Sequence, residues 1–144
     1  MRINECMTRE VRIVDPDDTL EGAAQLMGEI DAGILPVAKN DRLVGMVTDR
    51  DIAVRGVAKG MAPDAHVRAV MSDEVLYCFA DDDTEDVLNN LAEIQVRRLP
   101  VVDRDKRLVG IVSLSDMAGN GGQMHVGEAL GEIARPSMRH SQLA

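Results

Sequence analysis

The chain has 144 residues, of which 45% are hydrophobic and 28% are charged, a composition typical of soluble globular proteins with one domain or two small halves. Its formal net charge of −9 argues against nucleic-acid binding, because phosphate contacts depend mainly on Lys and Arg. The two cysteines are too few for a disulfide framework, and the three histidines are too scattered for a metal site, so we expect no metal.

The N-terminal sequence MRINECMTRE lacks the apolar stretch of a signal peptide. No run along the chain approaches the length needed to span a bilayer. We therefore expect no membrane partner and a cytoplasmic location.

The sequence contains an internal repeat. Residues 7–27 align with residues 71–91, and residues 34–52 align with residues 98–117. Such self-similarity is typical of a chain built from two copies of one structural unit. The paired anchors are Met7 and Met71, Thr19 and Thr84, Pro36 and Pro100, Gly45 and Gly110, and Asp51 and Asp116.

Each repeat opens with a short extended segment, around Val11–Val14 in the first copy and Val75–Phe79 in the second. Asp18 and Asp83 are expected to cap the helices that follow, with an acid three residues later in a capping box. Apolar residues at helical spacing then predict one amphipathic helix per repeat. Its inward positions are Leu20, Ala23, Ala24, Met27 and Ile30 in the first copy, and Val87, Leu88, Leu91 and Ile94 in the second.

A β-hairpin and a second helix complete each repeat. ILPVA and RLVGMV flank a polar turn in the first copy, and RLPVV and RLVGIV do so in the second. The last helices begin at TDRDI and SLSDM. Because one β-α-β-β-α unit cannot bury both faces of its small sheet, we expect the two units to pack together. The predicted fold class is α+β, with two pseudo-symmetric β-α-β-β-α repeats and a C-terminal helix.

The repeats suggest a division of the chain into four parts. We assign residues 1–58 to repeat 1, residues 59–69 to a linker, residues 70–118 to repeat 2, and residues 119–144 to a C-terminal helix and tail. The helix is predicted from the spacing of Val126, Ala129, Leu130 and Ile133, with Pro136 at its end.

A hydroxyl and an acid recur where the last strand of each repeat ends. Thr48 precedes Asp51 by three residues, and Ser113 precedes Asp116 by the same spacing. Helix capping explains either pair by itself. A hydroxyl near free backbone N–H groups also suits a phosphate, and a carboxylate can bind the two hydroxyls of a ribose. The recurrence of both groups favours a nucleotide site, with capping as the alternative.

Glycines and arginines near these strand ends have two interpretations each. Gly45 and Gly110 mark either close packing or the approach of a ligand. Arg50 in TDRD, and Arg97 and Arg98 in QVRRLP, are either solvated surface side chains or phosphate ligands. The first copy has the uncharged sequence AGILP where the second has VRRLP, so we expect the two sites to differ in their affinity for anions.

These motifs resemble the cystathionine-β-synthase (CBS) domain, and the tandem pair resembles a Bateman module. The resemblance covers residues 5–118 and rests on LPVV followed by LVGIVSLSD in the second copy, with matching segments in the first. The second copy is similar to the adenylate-binding repeats of the γ subunit of AMP-activated protein kinase. The layout of the chain is similar to that of stand-alone bacterial two-CBS proteins.

The resemblance implies two clefts between the repeats, each able to take AMP, ADP or ATP. For one cleft it implies that Asp116 binds ribose, with further contacts from Ser113, Ser115, Thr8, Arg12, Ile13, Ala32, Gly33 and Ile34. For the other cleft it implies that Asp51 binds ribose, with further contacts from Thr48, Arg50, Ser72, Val75, Leu76, Arg97 and Arg98. The basic residues favour the Asp51 cleft for phosphate.

The resemblance also implies a function. We expect a non-catalytic sensor of adenine nucleotides that needs no catalytic cofactor, forms a homodimer and acts on an effector protein still to be identified. Helical faces that carry Met27, Met117 and Met124 are compatible with a dimer surface, although core packing is the commoner use of Met. The alternative is a stress-related interaction module with empty clefts. An enzyme is disfavoured, because no nucleophile is accompanied by a base.

Overall fold

The computed structural model describes residues 1–94, 96–118, 127 and 130–133. The first repeat contains α1 (Leu20–Ile30), β1 (Ile34–Lys39), β2 (Arg42–Thr48) and α2 (Asp49–Asp51). Helix α2 continues as a π-helical segment, Ile52–Gly56, which is followed by a 3-10 turn, Val57–Lys59. The second contains β3 (Cys78–Phe79), α3 (Thr84–Ile94), β4 (Arg98–Val102), β5 (Leu108–Ser113) and α4 (Leu114–Ala118). Shorter 3-10 turns span Ile3–Glu5 and Val67–Ala69. These elements confirm the predicted α+β class.

The chain forms two compact units that do not follow the repeats in chain order. The first-repeat unit consists of Arg12–Val75 with Lys106–Leu108. The second-repeat unit consists of Met1–Val11, Leu76–Asp105 and the described residues from Val109 onward. The N-terminal segment therefore belongs to the unit of the second repeat.

The sheet of the first-repeat unit is built on the β1–β2 hairpin. The strands are antiparallel, with Ile34 opposite Thr48 and a register shift after Val37. Val14 adds a parallel bridge to Val37 at one edge. The extended segment predicted around Val11–Val14 is thus reduced to one bridging residue.

The second-repeat unit has the same layout. Its strand order is β3-β4-β5, and β3 runs parallel to β4 with Cys78 opposite Val101. Of the extended segment predicted for Val75–Phe79, only Cys78–Phe79 forms a strand. Thr8 adds an antiparallel bridge to Ile111 on β5.

The helix caps agree with the prediction in one repeat only. In the first repeat the N-cap is Thr19, whose Oγ1 accepts a hydrogen bond from the Gly22 N–H at 3.0 Å. The predicted cap, Asp18, is wrong, because its carboxylate instead accepts from the Asp15 N–H at 2.8 Å and closes the preceding turn. In the second repeat Asp83 Oδ1 accepts from the Glu85 N–H at 2.9 Å, which confirms the predicted cap.

Each unit has its own apolar core. The buried core of the first-repeat unit consists of Val14, Leu20, Ala23, Met27, Leu35, Val37, Val47, Val67 and Val70. The buried core of the second-repeat unit consists of Ile3, Cys78, Val87, Leu88, Leu91, Leu99, Val101, Val112, Leu114, Met117 and Ile133.

Most of the predicted inward positions of the first helices lie in these cores, and Ile30 and Ile94 pack against them. Ala24 is exposed, so that position is wrong. Met27 and Met117 are 7% and 3% exposed, so they are core residues and not part of a dimer surface.

The predicted C-terminal helix is described only in part. Gly127 and Leu130–Ile133 are helical, whereas Met124, Val126, Ala129 and Pro136 lie outside the described residues. No helix within the described ranges has the length and apolarity required to cross a membrane.

Candidate ligand-binding junctions

Two strand-to-helix junctions hold the predicted hydroxyl and acid side chains. At the first junction, residues 48–51, Thr48 Oγ1 accepts a hydrogen bond from the Asp51 N–H at 3.0 Å. In return, the Thr48 N–H donates to Asp51 Oδ2 at 2.9 Å. The two residues therefore form a reciprocal capping box at the start of α2.

The second junction, residues 113–116, repeats this geometry. The Ser113 N–H donates to Asp116 Oδ2 at 2.9 Å, and the Asp116 N–H donates to Ser113 Oγ at 3.2 Å. Both acids are half-buried. The capping interpretation of these residues is thus confirmed, and the shared geometry gives the chain two equivalent polar sites.

A segment from outside each hairpin lies beside each junction. Ser72 exchanges two backbone hydrogen bonds, of 2.8 and 2.9 Å, with Met46. Met46 lies two residues before Thr48. In the second-repeat unit, Thr8 and Ile111 exchange two of 2.9 Å each. The structure therefore brings Ser72 to the junction that contains Asp51.

The glycines at these strands allow that close approach. A Cβ atom on Gly45 would lie 2.8 Å from the Ser72 carbonyl oxygen, and one on Gly110 would lie 2.9 Å from the Thr8 carbonyl oxygen. Both distances are shorter than real Cβ contacts. Of the two interpretations of these glycines, close packing is confirmed.

The residue just before each hairpin accepts a backbone hydrogen bond from the junction. The Asp49 N–H donates to the Gly33 carbonyl at 2.9 Å, and the Leu114 N–H donates to the Arg97 carbonyl at 3.0 Å. Gly33 and Arg97 therefore occupy equivalent positions. These bonds join Gly33 to the junction with Asp51 and Arg97 to the junction with Asp116.

The family resemblance grouped residues across the two repeats, with Arg97 and Arg98 beside Asp51, and Ala32–Ile34 beside Asp116. Contacts within one unit do not bear on that grouping, which stays a prediction. Within the units, Arg97 lies with Asp116, and Ala32–Ile34 lie with Asp51.

The other predicted site residues lie on or near the surface. Arg12 is exposed and 3.9 Å from Glu29 in an ion pair, Ile13 is 41% exposed, and Leu76 is 40% exposed. Val75 is half-buried. Arg50 and Ser115 are exposed at equivalent positions inside the two junctions.

Arg55 is a junction neighbour that the sequence interpretation missed. Its Nε lies 4.0 Å from Asp51 Oδ1, and its Nη1 donates to the Val70 carbonyl at 3.1 Å. The spacing of four residues from Asp51 is the sequence signal that indicates such a pair on a helix.

Cys6 lies close enough to the second junction for the charge of Asp116 to affect the pKa of its thiol. Burial raises the pKa of the Cys6 thiol, and the negative charges of Asp116 and Glu5 raise that pKa further. No sequence pattern relates residue 6 to residue 116, because this proximity depends on the N-terminal segment joining the second-repeat unit.

Metal ligands do not cluster in the described part of the chain, where no group of three or more His, Cys, Asp or Glu side chains is placed to hold an ion. The junctions offer instead hydroxyls, carboxylates and arginines. Such groups bind polar organic ligands and phosphates.

Two tandem domains with one polar junction each define the class of this protein. The model of the CBS domain matches residues 3–56 and again residues 67–120. The chain therefore belongs to the CBS domain family, and it is a CBS-pair module of the regulatory type.

The relatives confirm the resemblance to stand-alone bacterial two-CBS proteins. Hypoxic response protein 1 of Mycobacterium tuberculosis is 41% identical over 116 residues, which cover 79% of this chain and 80% of that protein. The crystal structure of Hypoxic Response Protein I with two coordinated zinc ions is similar with a TM-score of 0.75 and 40% identity, over 83% of this chain and 98% of that chain. The crystal structure of CBSX2 in complex with AMP has a TM-score of 0.74 and 27% identity, over 85% of this chain and 97% of that chain.

Proposed function

We propose that this protein is a non-catalytic sensor that binds adenine nucleotides (AMP, ADP or ATP) at the two junctions. The observation that carries the proposal is the repeated carboxylate held at a strand end beside a hydroxyl, in Asp51 with Thr48 and in Asp116 with Ser113. An ionised carboxylate accepts several hydrogen bonds, because its two oxygens offer about four lone-pair positions. The two hydroxyls of a ribose are donors of the kind that such a carboxylate binds.

The relatives give independent support for the ligand class. CBSX2, which shares the fold of this chain, was crystallised with AMP. Adenosine is common to AMP, ADP and ATP, so a ribose-binding carboxylate serves all three. Differences among them arise at the phosphate end of the ligand.

Binding by itself produces a signal. A ligand that binds only the folded state stabilises it by RT ln(1 + [L]/Kd), which is about 2.7 kcal/mol at one hundred times Kd. A rise in nucleotide concentration then favours the liganded arrangement of the protein. We propose that this change acts on an effector protein or on a homodimer of the chain.

An interaction module without a ligand is the alternative function. Its support is that the reciprocal bonds of Thr48 with Asp51, and of Ser113 with Asp116, satisfy a helix start with no ligand present. Under this alternative the acids contribute to stability alone.

Calorimetry separates the two functions. We expect AMP and ATP to bind the wild-type protein, and we expect the double substitution Asp51→Ala and Asp116→Ala to weaken AMP binding at least about 30-fold, because each hydrogen bond to a charged group contributes roughly 1.5–3 kcal/mol. Asp18→Ala is the matched control, since it removes an exposed turn carboxylate and should leave Kd unchanged. Absence of binding to the folded wild type for both nucleotides would rule out the sensor function.

A further inference from the structure

Arg55 connects the first junction to residues 70–72, which follow the linker in the first-repeat unit. Its Nε lies 4.0 Å from Asp51 Oδ1. Its Nη1 donates hydrogen bonds to the Val70 carbonyl at 3.1 Å and to the Met71 carbonyl at 3.5 Å. One guanidinium therefore contacts the acid of the junction and two carbonyls that lie 15 and 16 residues further along the chain than Arg55.

The two oxygens of the Asp51 carboxylate have different partners. Oδ2 accepts the capping hydrogen bond from the Thr48 N–H at 2.9 Å. Oδ1 accepts no hydrogen bond from the described residues, and the 4.0 Å that separate it from Arg55 are too long for one. Oδ1 therefore keeps its capacity to accept a hydrogen bond from a ligand, with a positive charge beside it.

The contacts on both sides of Arg55 form a closed ring. Ser72 exchanges its two backbone hydrogen bonds with Met46, which precedes Thr48 on β2. From Thr48 the ring continues through the capping box to Asp51 and so back to Arg55. Strand β2 therefore holds one side of residues 70–72, and the guanidinium holds the other.

The backbone that carries Arg55 is fixed by packing. Arg55 lies in the π-helical segment Ile52–Gly56, a type of structure that is frequent at functional sites. Gly56 is buried, and a Cβ atom there would lie 3.0 Å from Leu20 Cδ1 and 3.7 Å from Val70 Cγ1. Val70 itself is completely buried. Arg55 thus joins the junction to a residue of the core.

The second repeat has no cation at the corresponding position. The residue four places after Asp116 is Asn120, which carries no charge and lies outside the described residues. A contact made through the guanidinium of Arg55 therefore belongs to the first junction alone.

We propose that Arg55 is a positioning residue that couples ligand binding at Asp51 to residues 70–72, an inference that rests on the proposed function. The attraction between opposite charges holds Oδ1 of Asp51 in place for a ribose hydroxyl. The bound hydroxyl adds a contact to the ring, so the ring opens less often when the junction is occupied. The signal of occupancy is slower local opening at Met71 and Ser72.

Amide hydrogen exchange measures this opening directly. The Met71 N–H donates to the Val67 carbonyl, and the Ser72 N–H donates to the Met46 carbonyl, so both amides exchange when these bonds break. AMP is the probe, and Asp116→Ala is the background that leaves the first junction intact. At one hundred times Kd we expect AMP to slow exchange at both amides at least about 10-fold, because complete loss of binding in the open state would give about 100-fold.

Two substitutions of Arg55 separate binding from coupling. Arg55→Met keeps the length of the side chain but removes its charge and donors. AMP should bind this variant about 10-fold more weakly, and exchange at residues 71 and 72 should no longer depend on saturating AMP. Arg55→Lys keeps a point charge beside Asp51 but lacks the fork that reaches the carboxylate and the carbonyls together. It should recover most of the affinity and none of the slowing.

Arg68→Met is the matched control. Arg68 lies in the same unit, two residues before Val70, but it pairs with Asp17 and not with the junction. Its substitution should change neither the affinity for AMP nor the slowing of exchange.

The outcomes distinguish this inference from the proposed function. AMP that binds without slowing exchange, or slowing that persists in folded Arg55→Met, would overturn the coupling and leave nucleotide binding intact. If Arg55→Met does not fold, slowing that persists in Arg55→Lys overturns it instead. Loss of the slowing in Arg68→Met would also overturn it, since the effect would then be a general loosening of the segment. If AMP does not bind the wild type, the proposed function itself fails.

Discussion

The close approach of the N-terminal segment to β5 yields a quantitative prediction for Gly110→Ala. The new Cβ atom would meet Met7 Sδ at 2.6 Å and the Thr8 carbonyl oxygen at 2.9 Å. The thioether can move, because Met is flexible. The carbonyl cannot move freely, because Thr8 and Ile111 exchange two hydrogen bonds of 2.9 Å each.

The cost follows from these contacts. To reach an ordinary contact the carbonyl oxygen must shift by about 0.5 Å, which strains both hydrogen bonds at roughly 1 kcal/mol each. Overpacking of this kind typically costs 1–3 kcal/mol. We expect Gly110→Ala to lower the free energy of unfolding by about 2 kcal/mol and to weaken the attachment of residues 1–11 to the second-repeat unit.

Urea unfolding and limited proteolysis measure these two effects. Gly28→Ala is the matched control, because its Cβ would meet nothing within 4 Å on an exposed position of α1 and should stabilise the protein by roughly 0.5–1 kcal/mol. Adding Met7→Ala to Gly110→Ala should not restore stability, since the carbonyl contact remains. A Gly110→Ala protein as stable as the wild type, or full rescue by Met7→Ala, would refute this reasoning.

Three further predictions concern the cap, a buried thiol and a core methionine. Thr19→Ala should lower the free energy of unfolding by about 1 kcal/mol, whereas Asp18→Ala should lower it by less, and urea unfolding of both variants checks which residue caps α1. Burial raises the pKa of Cys78 to about 12, so the folded state keeps this proton above pH 9 while the unfolded chain loses it. Stability should therefore fall as pH rises from about 9 towards 12, by up to about 1.4 kcal/mol per pH unit, and Cys78→Ala should flatten this slope in urea titrations at pH 8 and 10.5. Met117→Ala should lower the free energy of unfolding by about 2–5 kcal/mol, because it opens a cavity in the core. The oligomeric state measured by sedimentation should not change. A changed oligomeric state without loss of stability would contradict the place of Met117 in the core.

Local patterns predicted the elements of each repeat well, because burial and hydrogen bonding act there over a few residues. The apolar spacing of α1 identified Leu20, Ala23 and Met27 as buried, and the two hairpins lie where their flanking turns indicated. The N-cap of α1 was misplaced by one residue. Asp18 and Thr19 are both good caps, and the bond from Asp15 to Asp18 decides between them.

Long-range pairing was the part that local patterns could not supply. The bridge from Thr8 to Ile111 joins distant parts of the chain, and nothing in the composition of either segment specifies the other. Gly110 was the one local sign of such an approach, and it was equally consistent with a ligand. The position of Arg97 beside Ser113 likewise depends on tertiary structure, through the hydrogen bond from Leu114.

An NMR titration of the uniformly ¹⁵N-labelled protein with AMP tests the central claim most directly, because it shows where the nucleotide binds. We predict the largest amide shift changes at the two junctions, residues 48–51 and residues 113–116. We also predict that Asp116→Ala abolishes the changes at the second junction. Absence of shift changes at saturating AMP, or changes confined to residues remote from both junctions, would contradict nucleotide binding at these sites.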